Sequence, residues 1–137
     1  MAVRAITVFF YGLFMDADLL RAKGAQPRAV RPASVRGFSI RIGRRATLVQ
    51  DPVGRVHGML MELSHDDIDR LYAEPSVQMY RPEAMLCETA DGMKVPAICF
   101  ILPEPPEPAE RNETYAEQLR ALSRHLGLPE AYVESIR

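Results

Sequence analysis

The run "AITVFFY", Ala5 to Tyr11, is the most constraining stretch of this chain. It is rich in β-branched and aromatic residues, and its apolar character is continuous rather than alternating. A strand of that kind is buried on both faces, so it must lie inside a fold and not along its surface. Gly12 ends the run, and the chain then passes through "LFM" to Asp16, a helix-capping residue placed before "ADLLRAKG". Gly24 has the right position to close that short helix.

Further strands follow. Val35 to Ile42 alternates, with Val35, Gly37/Phe38, Ile40 and Ile42 towards one side and Arg36, Ser39 and Arg41 towards the other. Pro27 and Pro32 before it read as a loop. Thr47 to Val49 reads as a short strand, "DPVG" at 51–54 as a turn, and "VHGMLMEL", Val56 to Leu63, as the next strand. The interior Gly58 predicts a bulge or the close approach of another backbone. Ser64 caps a short helix in "SHDDIDRLYAE", with Asp67 at the capping-box position and Ile68, Leu71 and Tyr72 as its apolar stripe. Pro75 stops that helix at or before Glu74. Two strands around Asp91-Gly92 predict a tight hairpin. The Pro/Glu stretch "PEPPEPAERN", 103–112, reads as a stiff, solvated loop leading to a helix capped by Asn112 and ended by Gly127. Tyr115, Leu119, Leu122 and Leu126 recur along it at helical spacing, and a last turn begins at Pro129.

This order of elements predicts an α+β fold in one domain over residues 1–137, with too few long crossovers for a doubly wound parallel sheet. A chain of 137 residues, 47% apolar, buries enough surface to fold without disulfide or metal. Cys87 and Cys99 have no CxxC spacing and read as free buried thiols of a reducing compartment. The net charge of −1 and the lack of a basic block give no support to nucleic-acid binding. Arg28, Arg31, Arg36, Arg41, Arg44 and Arg45 read as a solvated face, with steering of an anionic substrate as the minor alternative. No segment approaches a membrane span, and "MAVRAITVFFYGLF" lacks the features of a secretory signal, so the expectation is a cytoplasmic protein.

The chemistry-bearing residues are few. His57, His65 and His125 have no ligand spacing, and no metal site is expected. There is no phosphate-binding loop and no paired Cys/His nucleophile. Two features remain. The backbone amides of Gly12, Leu13, Phe14 and Met15, freed from the sheet, form a candidate anion-binding hollow, against the plainer reading that Gly12 makes a bend. Glu74 is a carboxylate among Leu71, Tyr72, Val77, Met79 and Tyr80. Desolvation there would raise its pKa towards neutrality, whereas an ordinary helix-end carboxylate is solvated.

Taken in order, "YGLFM" (Tyr11–Met15), "VHGMLMEL" (Val56–Leu63), "IDRLYAEPS", "YRP" (Tyr80–Pro82) and the tail "YAEQLRALSRHLGLPEAYVESI" resemble the γ-glutamylcyclotransferase-like family. The resemblance implies a small mixed β-barrel-like core with helices. It also implies intramolecular cyclisation of a γ-glutamyl amine or peptide to 5-oxoproline, without a cofactor. It places the catalytic carboxylate at Glu74 and a substrate-binding set at Tyr11, Gly12, Leu13, Phe14, Met15 and Tyr80. The partner it implies is a small γ-glutamyl substrate; the oligomeric state stays open. Departures are Leu13 in place of Ser or Thr, Tyr72 in place of the Asp of the "LD" motif, and Pro75 in place of Gly. They leave as alternatives a catalytically inactive small-molecule-binding or regulatory protein on the same fold, and an interaction role for "PEPPEPAE".

Overall fold

A computed structural model describes residues 4–137. Five strands close into a barrel in the order β1-β3-β2-β4-β5. They are β1 (Ala5–Phe10), β2 (Arg28–Ile42), β3 (Ala46–Ser64), β4 (Arg81–Thr89) and β5 (Lys94–Ile101). Among the described residues four α-helices accompany them: α1 (Ala17–Ala22), α2 (His65–Tyr72), α3 (Glu113–His125) and α4 (Glu130–Ser135). The barrel is mixed: β1 runs antiparallel to β3 and meets β5 in parallel at Val8↔Ile98.

β1 is the strand buried on both faces. Phe9 and Tyr11 join the cluster of Val35, Leu48, Val56, Leu60, Cys87 and Cys99, while Val8 and Phe10 join the helix-covered cluster with Leu20, Leu71, Leu119 and Val133. Alternation along one strand thus serves two cores, which is why the run has no polar period.

The helix ends follow local chemistry. The Asp16 carboxylate accepts from the amides of Asp18 and Leu19 at 3.0 and 3.3 Å, and Gly24 has φ +93° beyond the end of α1. The Ser64 hydroxyl accepts from the Asp67 amide at 3.1 Å, and the Asn112 side chain accepts from the Tyr115 amide at 3.1 Å. Each cap satisfies donors that the first helical turn leaves free. Gly92 takes φ +85° in the β4–β5 turn, as its Asp-Gly sequence predicts.

The long β2–β3 hairpin corrects three expectations. The segments 47–49 and 56–63 are one strand of 19 residues, and "DPVG" is no chain reversal. The register runs Arg36↔Arg55 and then Phe38↔Gln50, so residues 51–54 bulge opposite Gly37. The turn chemistry is real but local: the Asp51 carboxylate accepts from the Val53 amide at 3.2 Å, and Val53 projects into solvent. Gly37 sits at φ +88° inside the bulge. The inserted residue shifts the buried parity of β2 from Val35 to Phe38, Ile40 and Ile42. Pro32 lies within β2 rather than in a loop. β4 is paired to that side of β2 only at Ala33 and Ser34, which leaves a place for a residue without an N–H.

The Pro/Glu loop is also not a free linker. It packs on the β2–β3 turn: the Glu110 carboxylate accepts from the Arg44 amide at 2.7 Å, and an Arg41 N–H reaches the Pro106 carbonyl at 3.5 Å. Cys87 pairs with Val95 and Cys99 with Glu83, so the thiols are four residues apart along neighbouring strands, and both are free.

Gly58 marks a close approach of β1. A Cβ there would collide with the Phe10 carbonyl and lie 2.8 Å from the Phe9 ring. Gly58→Ala is expected to cost about 1–3 kcal/mol, the usual range for overpacking. Urea unfolding should therefore show a lowered midpoint at an unchanged slope.

Candidate active site

The chain leaving β1 rises over the end of the barrel as a single 3-10 turn, Leu13–Met15, with the Met15 amide donating to the Gly12 carbonyl at 3.0 Å. Beneath it lies a cavity of about 310 Å³. Tyr11, Gly12, Leu13 and Phe14 form one wall. Tyr72 at the end of α2, Ser76, Val77 and Tyr80 from the following loop, Tyr115 of α3 and Phe100 of β5 also line the cavity. Arg44 and Arg45, from the β2–β3 turn, stand at the edge. Five of the seven residues expected at a site, Tyr11, Gly12, Leu13, Phe14 and Tyr80, are thus brought to one place.

The other two sit differently. Met15 turns into the core, 1% exposed, and its amide is engaged in the 3-10 turn. Glu74 lies in sequence between the lining residues Tyr72 and Ser76 but is not itself among the lining residues. Its carboxylate accepts from the Lys23 ammonium of the α1 C-cap at 2.8 Å, and its side chain is 41% exposed. The apolar desolvation that the sequence suggests is therefore absent in this arrangement. An ion pair this open to water contributes at most about 1 kcal/mol.

The cavity wall is aromatic and internally braced. Tyr72 stacks on Phe100 with ring centroids 4.0 Å apart, Phe14 meets Tyr72 edge-on at 5.8 Å, and Phe10 meets Phe14 edge-on at 6.1 Å. Such pairs add about 0.5–1.5 kcal/mol each beyond their buried area. The Tyr11 hydroxyl donates to the Phe100 carbonyl at 2.7 Å, and the Tyr80 hydroxyl donates to the Ala46 carbonyl at 2.5 Å. Arg45 Nε donates to the Ser76 carbonyl at 2.8 Å, which ties the β2–β3 turn to the loop after α2.

Of the chain's five tyrosines, four line this cavity: Tyr11, Tyr72, Tyr80 and Tyr115. Burial pushes every one of their hydroxyls up from the usual value. Neighbouring tyrosines reinforce the rise at Tyr11, Tyr72 and Tyr80, and Arg45 opposes it at Tyr80. Burial takes Tyr115 to about 12, against a smaller opposing effect of the Leu13 amide. All four are neutral hydrogen-bonding groups at ordinary pH.

Gly12 now has a physical reason. A Cβ at this position would lie 2.6 Å from the Tyr115 hydroxyl, so the absence of a side chain lets α3 close over the loop. Tyr72 and Tyr115 were legible in the sequence only as members of apolar helix stripes; their position near helix ends, where a hydroxyl can leave the core, is the signal that distinguishes them. The placing of Arg44 and Arg45 depends on Ser76 and Glu110, far away in sequence, and no local pattern carries it. The scatter of arginines is thus not uniformly a solvated face.

His65 and His125 lie exposed at the start of α2 and the end of α3. His57 is half-buried beneath Tyr132 at 5.0 Å, where burial and then Arg55 lower its pKa. Among the described residues no group of His, Cys, Asp and Glu is placed to hold a metal. No helix of the described residues is long and apolar enough to cross a membrane.

Barrel topology and cavity together define a class, and comparison with known proteins gives the same one. The family model for "Gamma-glutamyl cyclotransferase, AIG2-like" matches residues 8–120. The chain belongs to that family. A solved structure named gamma-glutamyl cyclotransferase shares the fold at TM-score 0.79 and 16% identity, covering 98% of this chain and 89% of that one. An uncharacterised protein of Homo sapiens follows at 0.77 and 17%, covering 97% and 88%. A protein of Arabidopsis thaliana matches at 0.68 and 18%, covering 94% and 97%. At these identities the likeness establishes the fold. No curated protein matches the chain in sequence.

Two outcomes test this geometry. Gly12→Ala is expected to destabilise by about 1–3 kcal/mol, and Tyr115→Phe, which removes the opposing oxygen, should recover part of that loss in the double variant. Strict additivity in a thermal double-mutant cycle would contradict the contact. The second outcome concerns pH. The folded protein keeps the Tyr115 proton to about pH 12, whereas an unfolded tyrosine releases it near its ordinary value of 10. Above pH 10 the unfolded state therefore binds fewer protons, and stability falls as pH rises towards 12. Cys87, raised by burial to about 11, acts in the same direction. Absorbance at 295 nm and urea midpoints across this range provide the check.

Proposed function

We propose that this protein is a γ-glutamyl cyclotransferase, converting a γ-glutamyl amine or peptide to 5-oxoproline with release of the amine. The observation that carries the proposal is the convergence of two segments on one cavity. The 3-10 turn after β1 and the loop after α2, which bears Glu74, both contribute lining residues to one cavity of about 310 Å³. A substrate held there has its reacting amine and carbonyl in one molecule, so positioning supplies much of the acceleration.

In this reading Glu74 exchanges one ammonium for another. Lys23 now lies 2.8 Å from its carboxylate, and the substrate α-ammonium takes that place on binding. Glu74 accepts a proton from the α-ammonium, and the freed nitrogen attacks the γ-carbonyl carbon. Glu74 then gives that proton to the departing nitrogen as the old C–N bond breaks, and the second proton that the ring nitrogen sheds on becoming an amide passes by way of the same carboxylate to the released amine, which leaves as an ammonium ion. Donors on the Gly12–Phe14 turn steady the oxyanion that forms between them. Tyr11 and Tyr80 shape the pocket, and Arg44 and Arg45 attract the substrate carboxylate. Residue 13 contributes only its backbone, because leucine has no hydroxyl to replace that of Ser or Thr. No cofactor enters the reaction, and the two free thiols suit a reducing, cytoplasmic setting.

One observation favours a second reading, that of a binding or regulatory protein without turnover: Glu74 is half-exposed, paired with Lys23 and outside the cavity lining. Glu74→Gln separates the two. Cyclotransfer through Glu74 predicts at least about a 100-fold loss of 5-oxoproline formation, with a melting temperature changed by no more than a few degrees. Ligand binding with no product from the unaltered protein would favour the second reading, and full activity in Glu74→Gln would exclude the mechanism.

A further inference from the structure

We infer that the amine released from this site carries an aromatic ring, either as an arylalkyl amine or as an aromatic amino acid. The inference rests on the cyclotransfer reading and narrows its substrate class. Part of the cavity's polar wall is engaged with the protein itself: the Tyr11 and Tyr80 hydroxyls with the Phe100 and Ala46 carbonyls, and Arg45 Nε with the Ser76 carbonyl. Most of the remaining lining is apolar or aromatic: Phe10, Leu13, Phe14, Val77 and Phe100, with the rings of Tyr72 and Tyr115. A hydrophilic leaving group entering there loses its water and gains few partners in exchange, which is unfavourable.

Charge argues the same way. No carboxylate is among the cavity's lining residues, and the charged groups at its edge are two guanidinium ions, Arg44 and Arg45. A leaving group with a free ammonium, such as a lysine side chain or a diamine, would find no carboxylate among the lining residues to pair with and would meet like charge at Arg44 and Arg45. The anionic glutamyl end is matched to the arginines, and the neutral ring to the aromatic interior. Size sets the limit. At about 310 Å³ the cavity is near the lower end for small-molecule sites, so a glutamyl group with one ring-sized substituent fills it. Tyr72, stacked at 4.0 Å on Phe100 and edge-on to Phe14 at 5.8 Å, makes the lining a cluster of rings, the surroundings against which an aromatic substituent packs well. The reaction itself stays balanced as before: one C–N bond forms, one breaks, and two protons of the α-ammonium leave with the amine as its ammonium ion.

The test compares γ-glutamyl-phenethylamide and γ-glutamyl-phenylalanine with γ-glutamyl-ethylamide and with the γ-glutamyl derivative of 1,4-diaminobutane, measuring 5-oxoproline release. The phenethylamide is expected to exceed the ethylamide in kcat/KM by about 10- to 150-fold, the range for burying one phenyl-sized group. The diamine derivative should be the poorest. The phenylalanine derivative decides between amine and amino acid as the source of the ring. Phe14→Ser should lower the ring preference at least about threefold, and Val77→Asn, on the outer loop, does so without touching the aromatic stack. Equal turnover of all four compounds overturns the aromatic class while leaving cyclotransfer standing. If none yields 5-oxoproline, cyclotransfer falls, and calorimetry decides the class: at least tenfold tighter binding of the phenethylamide upholds it. Equal affinity, or no binding of either amide, overturns it.

Discussion

β1 is buried from two directions, and both the barrel and the site follow from that. Its odd-numbered Phe9 and Tyr11 pack among the strands, and its even-numbered Val8 and Phe10 meet the helices. Pairing with β3 along its whole length and with β5 at Val8↔Ile98 makes it the strand that closes the barrel. A strand so enclosed can become accessible only at its end. The chain does so at Gly12, where the missing Cβ lets the Tyr115 hydroxyl close over the backbone. The cavity begins at that point.

Local chemistry made much of the fold legible. The Asp16, Ser64 and Asn112 caps, the Asp91-Gly92 hairpin and the two-faced burial of β1 each depend on neighbours within a few residues. The failures share a different cause. "DPVG" has the composition of a reversal, yet long pairing between β2 and β3 overrides it, and the segment becomes a bulge opposite Gly37. Pro32 sits in a strand because β4 is paired there over only two residues. Whether a turn sequence reverses the chain or only bulges is decided by the partner strand, which the local sequence does not contain.

The site divides in the same manner. Gly12, Leu13 and Phe14 are contiguous and follow from the break at the end of a buried strand, which also pointed to Met15, and the family resemblance added Tyr11 and Tyr80 to the residues that line the cavity. Tyr72 and Tyr115 were hidden inside helical stripes. Arg44 and Arg45 were hidden in a scatter of charge, because what orders them lies in the loops at 74–80 and 103–112. Glu74 shows the limit of sequence context most plainly. Its apolar neighbours in sequence point elsewhere, and its partner is Lys23 on α1. Family membership and fold do not by themselves convert that carboxylate into a catalyst; the proposed cyclotransfer requires a substrate ammonium to replace Lys23 beside it.

The central claim is that ligands of the γ-glutamyl type bind between the turn after β1 and the loop after α2. Titration of 15N-labelled protein with 5-oxoproline, followed by amide chemical shifts, tests it most directly. The account predicts saturable shifts concentrated at Gly12, Leu13, Phe14, Ser76 and Val77, with the β4–β5 turn at Asp91-Gly92 unmoved. Saturable shifts centred elsewhere on the barrel, or no shifts at millimolar ligand, would contradict it.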